Sequence, residues 1–221
     1  MRQDMQRAHG FSLIEMIIVT VVLGIMAAVL APLARNSLLA YDNTLDDLTV
    51  LDKLRYATER LAREIRGIQY ANSTVNPAPA CSGGLSLSPA TCPDGSSDRY
   101  CISTMTANNL VFTRSYCDSS GALTTRNVTV GATSSAVTLA YSDMSGTGAQ
   151  VLTDDLGSAS NLAFAYYQKD GTTTATAAGN ANCSTATTCV RYVQISLTLQ
   201  NTVNGTTQNY VQRTRVDLRN Q

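Results

Sequence analysis

Residues 11–34 form a long apolar run whose single charged side chain, Glu15, lies near its beginning. As an α-helix this run would be about 36 Å long, enough to cross the hydrocarbon core of a bilayer. A charged side chain inside a membrane segment is costly, so it usually marks a functional position. The run therefore predicts a membrane helix with a functional carboxylate near its amino-terminal end.

A short basic leader precedes the apolar run. Residues 1–10 carry Arg2 and Arg7 against a single carboxylate, and they end in Gly10. Basic residues on the amino-terminal side of a membrane helix indicate that this side faces the cytoplasm. The leader and the run together predict a single-pass protein whose remaining chain lies outside the cytoplasm.

Three ordinary interpretations of the run compete with a specialised one. A secretory signal peptide would be cut after Ala28 or Ala34, but its apolar core spans only about 7–15 residues and carries no carboxylate. A plain membrane anchor is physically possible, although it leaves Glu15 unexplained. A core helix buried in a soluble protein is disfavoured by the length of the run.

The junction between leader and run resembles the prepilin processing signal of type IV pilins and type II secretion pseudopilins. The resemblance depends on Gly10, Phe11, a carboxylate at Glu15 and the apolar helix beyond it. It implies that a prepilin peptidase cuts between Gly10 and Phe11 and that the new amino group of Phe11 is N-methylated. It also implies that the helix assembles with other pilins, with Glu15 forming an assembly salt bridge.

Pro32 lies near the outer end of the apolar run. Proline removes one helical hydrogen bond and clashes with the carbonyl four residues earlier, so we expect a helix kink there. A proline at this place is familiar in pilin-like helices. The chain is therefore divided into four parts. Residues 1–10 are a leader, and residues 11–34 are a transmembrane and assembly helix. Residues 35–67 are its amphipathic continuation, and residues 68–221 are a β-rich extracytoplasmic domain.

The helix continues beyond the membrane as an amphipathic segment. Its apolar residues recur at helical spacing and predict a stripe that lies on a sheet, namely Leu45, Leu48, Leu51, Leu54, Leu61 and Ile65. The opposite face is charged and is expected to be solvated, at Asp46, Asp47, Asp52, Lys53, Arg55, Glu59, Arg60, Arg63, Glu64 and Arg66. Glu59 and Arg63 have the spacing of a helical ion pair, and Gly67 is expected to end the helix in a left-handed conformation.

The remaining chain has the pattern of short strands. They are predicted at residues 100–105, 110–116, 123–130, 136–141, 162–168, 189–199 and 210–218. Asn204-Gly205 between the last two is a strong hairpin signal. Residues 71–99 and 169–188 have the composition of loops. The fold class expected is α+β, with one long N-terminal helix packed on an antiparallel sheet, as in pilins.

All six cysteines follow the membrane run, which indicates an oxidising compartment. Because short loops close easily, we expect the pairs Cys81–Cys92, Cys101–Cys117 and Cys183–Cys189, although sequence alone allows fifteen pairings. A cysteine metal site is disfavoured, because no C-x-x-C pair is present. The adjacent Asp154 and Asp155 are expected to form a turn, with calcium binding as the less favoured alternative.

No catalytic set is present in the sequence. The single histidine, His9, lies in the leader, so neither a Ser-His-Asp nor a Cys-His arrangement is available to the domain. We therefore expect a protein that is not an enzyme and has no cofactor. Net charge is zero, and nucleic-acid binding is not expected, although Arg213, Arg215 and Arg219 leave contact with DNA as an alternative.

Two further segments extend the resemblance beyond the leader. Residues 60–66 and 216–220 look like those of the larger minor pilins and minor pseudopilins, and the chain is similar to the O component of mannose-sensitive haemagglutinin pili and to J-type pseudopilins. This implies a structural subunit that initiates fibre assembly or lies near the fibre tip. Its implied partners are other pilins, the prepilin peptidase and the assembly platform of the bacterial inner membrane.

The resemblance implies that the subunit waits in the inner membrane and then enters a pilus, in the periplasm or at the cell surface. A minor pseudopilin of a type II secretion system is the main alternative. A surface adhesin or DNA-binding tip subunit is a second alternative, and a membrane-anchored enzyme is a weaker third.

Overall fold

A computed structural model describes residues 12–71, 91–117, 123–143, 148–175, 189–203 and 205–218. The leader, the Gly10–Phe11 junction, Cys81, Cys183, Arg219 and the side chain of Cys117 lie outside this description. The chain divides into two compact units, the first ending at Asp46 and the second beginning at Asp47.

One helix, α1, runs without interruption from Leu13 to Arg66 and contains Pro32. This confirms the predicted long N-terminal helix, while the kink at Pro32 stays a prediction. The first unit comprises this helix up to Asp46, and every residue from 12 to 42 is exposed.

Among its described residues, the second unit adds ten strands in three antiparallel sheets. The two-stranded sheet pairs β1 (Tyr70–Ala71) with β2 (Arg99–Tyr100). The five-stranded sheet has the order β3 (Ile102–Met105), β4 (Asn109–Cys117), β5 (Leu123–Ala132), β6 (Val137–Tyr141) and β7 (Gln150–Thr153). The three-stranded sheet has the order β10 (Thr206–Asp217), β9 (Tyr192–Val203) and β8 (Leu162–Tyr167). This arrangement confirms the α+β class, although the β residues form three sheets and not one.

Each predicted strand overlaps an observed one, but the single strand predicted at residues 100–105 is divided between β2 and β3, which belong to different sheets. The hairpin expected at Asn204-Gly205 joins β9 to β10 in register. Sequence reasoning missed β1 and β7. These strands are only two and four residues long. A run that short shows too few alternations to be distinguished from a loop, because its pairing is decided by the neighbouring strand.

Helix residues and both larger sheets contribute to one hydrophobic core. Leu54, Leu61 and Ile65 are buried in it, as the apolar stripe predicted. The prediction was wrong for Leu45, Leu48 and Leu51, whose exposed fractions are 44%, 54% and 44%. Burial begins at Val50 and continues through small residues, Ala57 and Ala62, that let the backbones of helix and sheet approach closely.

Candidate assembly helix

The described part of α1 begins with a capping arrangement at Ser12. The hydroxyl Oγ of Ser12 accepts a hydrogen bond from the backbone N–H of Glu15 at 3.3 Å. The carbonyl of Ser12 accepts bonds from the N–H groups of Glu15 at 3.1 Å and Met16 at 3.2 Å. Serine followed three residues later by glutamate is the spacing of a capping box, which satisfies amide donors at a helix start. The helix is therefore able to start immediately beyond the predicted cleavage junction.

The apolar part of α1 presents its large side chains to its surroundings. Leu13 is 80% exposed, and the aliphatic residues that follow as far as Leu33 are also exposed. In the described part of the chain, α1 is a helix long and apolar enough to cross a membrane. An apolar surface of this extent is stable when lipid or other apolar helices cover it.

Polar side chains on this part of the helix bond to the helix itself. The hydroxyl of Thr20 donates to the carbonyls of Met16 and Ile17, each at 3.0 Å. Ser37 donates to Leu33 at 2.9 Å. Because each hydroxyl donates a hydrogen bond to a carbonyl of the preceding turn, it leaves no unsatisfied donor in a lipid environment.

Glu15 is exposed and carries the one charge of the described apolar run. Within residues 12–46, the nearest basic residue to Glu15 is Arg35, about 30 Å away at 1.5 Å per residue. Its own helix therefore supplies Glu15 with no compensating cation over residues 12–46. A counter-charge would come from the residue before Ser12 or from another chain, and both possibilities are consistent with the predicted assembly salt bridge.

In the second unit, Glu64 holds the last turn of α1 through a buried ion-pair cluster. Its side chain is 1% exposed and accepts from Arg114 on β4 at 2.6 Å and from Arg60 at 3.1 Å. The hydroxyl of Tyr141 on β6 donates to the same carboxylate at 3.0 Å. Two cations and a hydroxyl compensate the removal of this carboxylate from water.

Tyr141 belongs to both the ion-pair cluster and an aromatic stack. Burial, and then the adjacent Glu64 carboxylate, raises the pKa of Tyr141 above its usual value. The guanidinium of Arg126 lies over the Tyr141 ring at 4.7 Å and over the Tyr116 ring at 4.3 Å. Helix α1, β4, β5 and β6 are thus linked through a continuous set of charged and aromatic contacts.

Sequence reasoning placed Glu64 on the solvated face, and this was wrong. The error has a structural reason, because two arginines and a tyrosine from distant parts of the chain convert an exposed position into a compensated buried one. The predicted pair of Glu59 with Arg63 was also wrong. Glu59 instead accepts from Arg55 at 2.9 Å, one turn earlier.

Gly67 follows the helix, but it is not among the glycines with positive φ, so the predicted left-handed conformation was wrong. The requirement for glycine is steric. A Cβ at this position would lie 2.8 Å from Nε of Arg114 and 3.1 Å from its Cδ. Gly67 therefore leaves space for the arginine that reaches Glu64.

Asp154 lies at a bend, and both Asp154 and Asp155 bind Lys53 of α1. The distances from Lys53 Nζ are 2.9 Å and 2.7 Å. The bonds to Asp155 and then Asp154 raise the pKa of Lys53. Among the described residues, no group of three or more histidine, cysteine, aspartate or glutamate side chains is arranged to hold a metal ion.

The disulfide described by the structure joins Cys92 to Cys101, with 5.3 Å between their Cα atoms. The predicted pairs Cys81–Cys92 and Cys101–Cys117 were therefore wrong. A turn in which Gly95 donates to the carbonyl of Cys92 reverses the chain, and strand pairing then fixes Cys101 nearby. Cys189 is also disulfide-bonded, and its predicted partner Cys183 lies outside the description.

The structure does not bring the predicted site residues together in one place. Glu15 and Pro32 lie on the exposed part of α1, and the Cys92–Cys101 disulfide lies in the second unit. The residues that sequence reasoning missed are Arg114 and Tyr141, since isolated charged or aromatic residues on strands carry no signal of their partner.

Comparison with known proteins gives a match at the amino terminus. A family model described as the prokaryotic N-terminal methylation motif matches residues 5–31. No curated protein and no solved structure matches the chain. The matched residues include Gly10, Phe11, Glu15 and most of the apolar run, and they end before the second unit begins.

Proposed function

From this methylation motif, which indicates the type IV pilin and pseudopilin family, we propose that the chain is a minor pilin of a pilus similar to mannose-sensitive haemagglutinin pili. Its role is structural, in starting fibre assembly or in forming part of the tip. The observation that carries the proposal is that the motif lies on an exposed apolar helix joined to a folded β domain.

Processing is the first step of the proposed function. A prepilin peptidase cuts between Gly10 and Phe11 while the apolar helix is in the inner membrane, with the amino terminus in the cytoplasm. The new amino group of Phe11 is then methylated. The Ser12 cap supports this step, because the helix keeps its own amide partners after the leader is removed.

Assembly is the second step. The inner-membrane platform transfers the subunit from lipid to a fibre in which apolar helices of other pilins cover residues 13–33. Glu15 of the incoming subunit pairs with the amine of Phe11 on a subunit already in place. The absence of a basic residue near Glu15 within residues 12–46 supports a partner of this kind. A charge pair formed in a low-dielectric interior favours one register over others.

The test of the proposed function is co-expression of the full chain with a prepilin peptidase, followed by intact-mass measurement. The expected product starts at Phe11 and carries one additional methyl group. Gly10→Val is the matched variant, because a branched side chain at the cut is expected to block cleavage without changing the helix. A product starting at Val29 or Arg35 would contradict the proposal and favour an ordinary signal peptide.

A pseudopilin of a secretion system would pass the processing test as well, so a second measurement is required. Recovery of the chain from sheared surface fibres supports the pilus, whereas loss of protein secretion in a deletion strain with intact fibres supports the secretion alternative. We propose neither an enzymatic activity nor a cofactor. A surface adhesin or DNA-binding role would be tested by binding assays on the assembled fibre.

A further inference from the structure

Strand β10 forms an edge of the three-stranded sheet. It extends from Thr206 to Asp217 and pairs with β9 on one side, and no described strand pairs with its other side. A strand edge of this length presents a row of backbone donors and acceptors that can pair with another extended chain.

The register of the β9–β10 hairpin identifies which backbone groups point outward. Thr206 pairs with Val203 across a two-residue turn, and at the far end the N–H of Leu218 donates to the carbonyl of Arg191. Even-numbered residues therefore bond to β9, because direct pairs in an antiparallel ladder alternate between bonded and non-bonded. The outward N–H and C=O groups belong to Thr207, Asn209, Val211, Arg213, Arg215 and Asp217.

A groove of about 240 Å³ runs beside this edge, between β10 and α1. The helix contributes Arg63 and Arg66 to its lining, and β10 contributes Gln212 and Thr214. Side chains of an extended chain alternate between the two faces of a sheet. A strand added to β10 would direct every second side chain into the groove and the others to the opposite face, where Arg213 is exposed.

The charges around the edge are mainly positive. Among the described residues, no carboxylate forms an ion pair with Arg63, Arg66 or Arg213. Glu59 is the carboxylate among the groove residues, and Arg55 already binds it at 2.9 Å. Both faces of an added strand would therefore meet arginine side chains, which favours acidic residues in that strand.

We propose that the outer edge of β10 is a docking site for an extended, acidic segment of a partner protein, which joins the three-stranded sheet as a fourth strand. Its backbone bonds to the outward groups of Val211 and Arg213, and its carboxylates bind Arg63 and Arg66 in the groove. Backbone pairing provides affinity and the groove provides selectivity. This inference does not depend on the proposed function.

The test uses the full chain in detergent and measures amide hydrogen exchange by residue-resolved NMR. The probe is a synthetic peptide that alternates threonine and glutamate over about eight residues, the length of an ordinary strand. Its control has lysine in place of glutamate. The acidic peptide is expected to slow exchange of the Val211 and Arg213 amides about tenfold or more, while the Gln212 amide, already bonded to β9, is unchanged.

Two sets of variants separate backbone pairing from charge. Val211→Pro removes one outward N–H and keeps the β9 ladder, because proline is tolerated on the open side of an edge strand. We expect it to abolish binding, and its matched control Val211→Thr to retain it. Arg63→Gln with Arg66→Gln is expected to weaken binding of the acidic peptide about fivefold to tenfold. Lys169→Gln, which removes an exposed charge from a turn outside the groove lining, is the control.

Several results would overturn the proposal. Protection confined to amides outside β10 would place the peptide elsewhere, and equal binding of the lysine peptide would remove the acidic selectivity. Absence of binding by both peptides would reject the docking site. If the chain dimerises and Val211→Pro abolishes that dimer, the edge binds a second copy of the chain and not an acidic partner. If Val211→Pro fails to fold, the arginine variants and the exchange pattern still decide between these outcomes.

Discussion

Arg114 donates from Nη1 to Oε2 of Glu64 at 2.6 Å, and this bond joins the last turn of α1 to the five-stranded sheet. The carboxylate is buried, whereas the two arginines that bind it, Arg60 and Arg114, are 31% and 29% exposed. A buried charge with partly exposed partners makes the glutamate the member whose loss is most costly. Substitution of Glu64 should therefore lower the free energy of unfolding more than substitution of either arginine.

Glu64→Gln should lower the free energy of unfolding of the second unit by about 2–3 kcal/mol, because it leaves two arginines without a counter-charge. Chemical unfolding of the full chain in detergent, followed by near-ultraviolet circular dichroism of the tyrosines, measures this. The matched control is Glu59→Gln, which removes an exposed carboxylate one turn earlier and should leave the unfolding midpoint unchanged. Equal effects of the two variants would show that Glu64 contributes no more than a surface charge.

Gly67→Ala should destabilise the domain by about 1–3 kcal/mol, because the new Cβ would lie 2.8 Å from Arg114 Nε and displace it from Glu64. In an Arg114→Ala background the same substitution should have little effect, since the crowded side chain is then absent. Gly131→Ala is a suitable control, because its nearest atom would be 3.8 Å away. Unfolding curves of the four members of the cycle test this, and additive effects would contradict it.

The Cys92–Cys101 disulfide should contribute about 2–3 kcal/mol, the value expected for a short closed loop. Non-reducing peptide mapping should recover this bond in the second unit. In Cys92→Ser the thiol of Cys101 should become available to alkylation under denaturing conditions. Recovery of Cys101 linked to Cys117 in the unsubstituted protein would contradict the observed pairing.

Asp170 should titrate with a pKa of about 2, because its carboxylate accepts from the side chain of Thr173 and from the backbone N–H groups of Thr172 and Thr173. The folded-state pKa is below the unfolded value of about 3.9, so the stabilisation is present above pH 4 and is lost as pH falls towards 2. Carboxyl-carbon NMR titration measures this directly. A value near 4 would show that these hydrogen bonds do not persist in solution.

Glu15→Ala should leave the stability of the second unit unchanged, because residue 15 lies in the first unit. Insertion in the membrane should survive, since removal of a charge favours the bilayer. Under the proposed pairing of Glu15 with the Phe11 amine of another subunit, incorporation into fibres should fall sharply. The measurement compares membrane and sheared-fibre fractions in a strain without the wild-type copy.

Glu15→Asp is the matched variant for this experiment. It keeps the charge but shortens the side chain, so it should incorporate better than alanine and less well than the unsubstituted protein. Normal incorporation of Glu15→Ala would show that the carboxylate is merely tolerated at this position.

The sequence by itself determined the helices and strands that form from local patterns. These elements do not need a contact with one particular residue far away in the chain. The apolar run predicted the exposed helix that begins at Leu13, because such a helix is stable in any apolar environment and needs no specific partner residue. Alternating side chains and Asn204-Gly205 predicted β9 and β10 in register, since the turn and the pleat are local properties. The motif at Gly10, Phe11 and Glu15 is likewise contained in one short segment.

The tertiary structure decided every feature that needs two separate parts of the chain. A helical pattern gives the spacing of Glu64, but its burial depends on Arg114 and Tyr141, which arrive on β4 and β6. The partner of Cys101 depends on the path of the preceding turn, because many pairings of six cysteines close loops of similar cost. The burial of a side chain and the choice of its ion-pair or disulfide partner depend on which residues are close in space. A sequence pattern specifies only which kinds of partner each residue is able to bind.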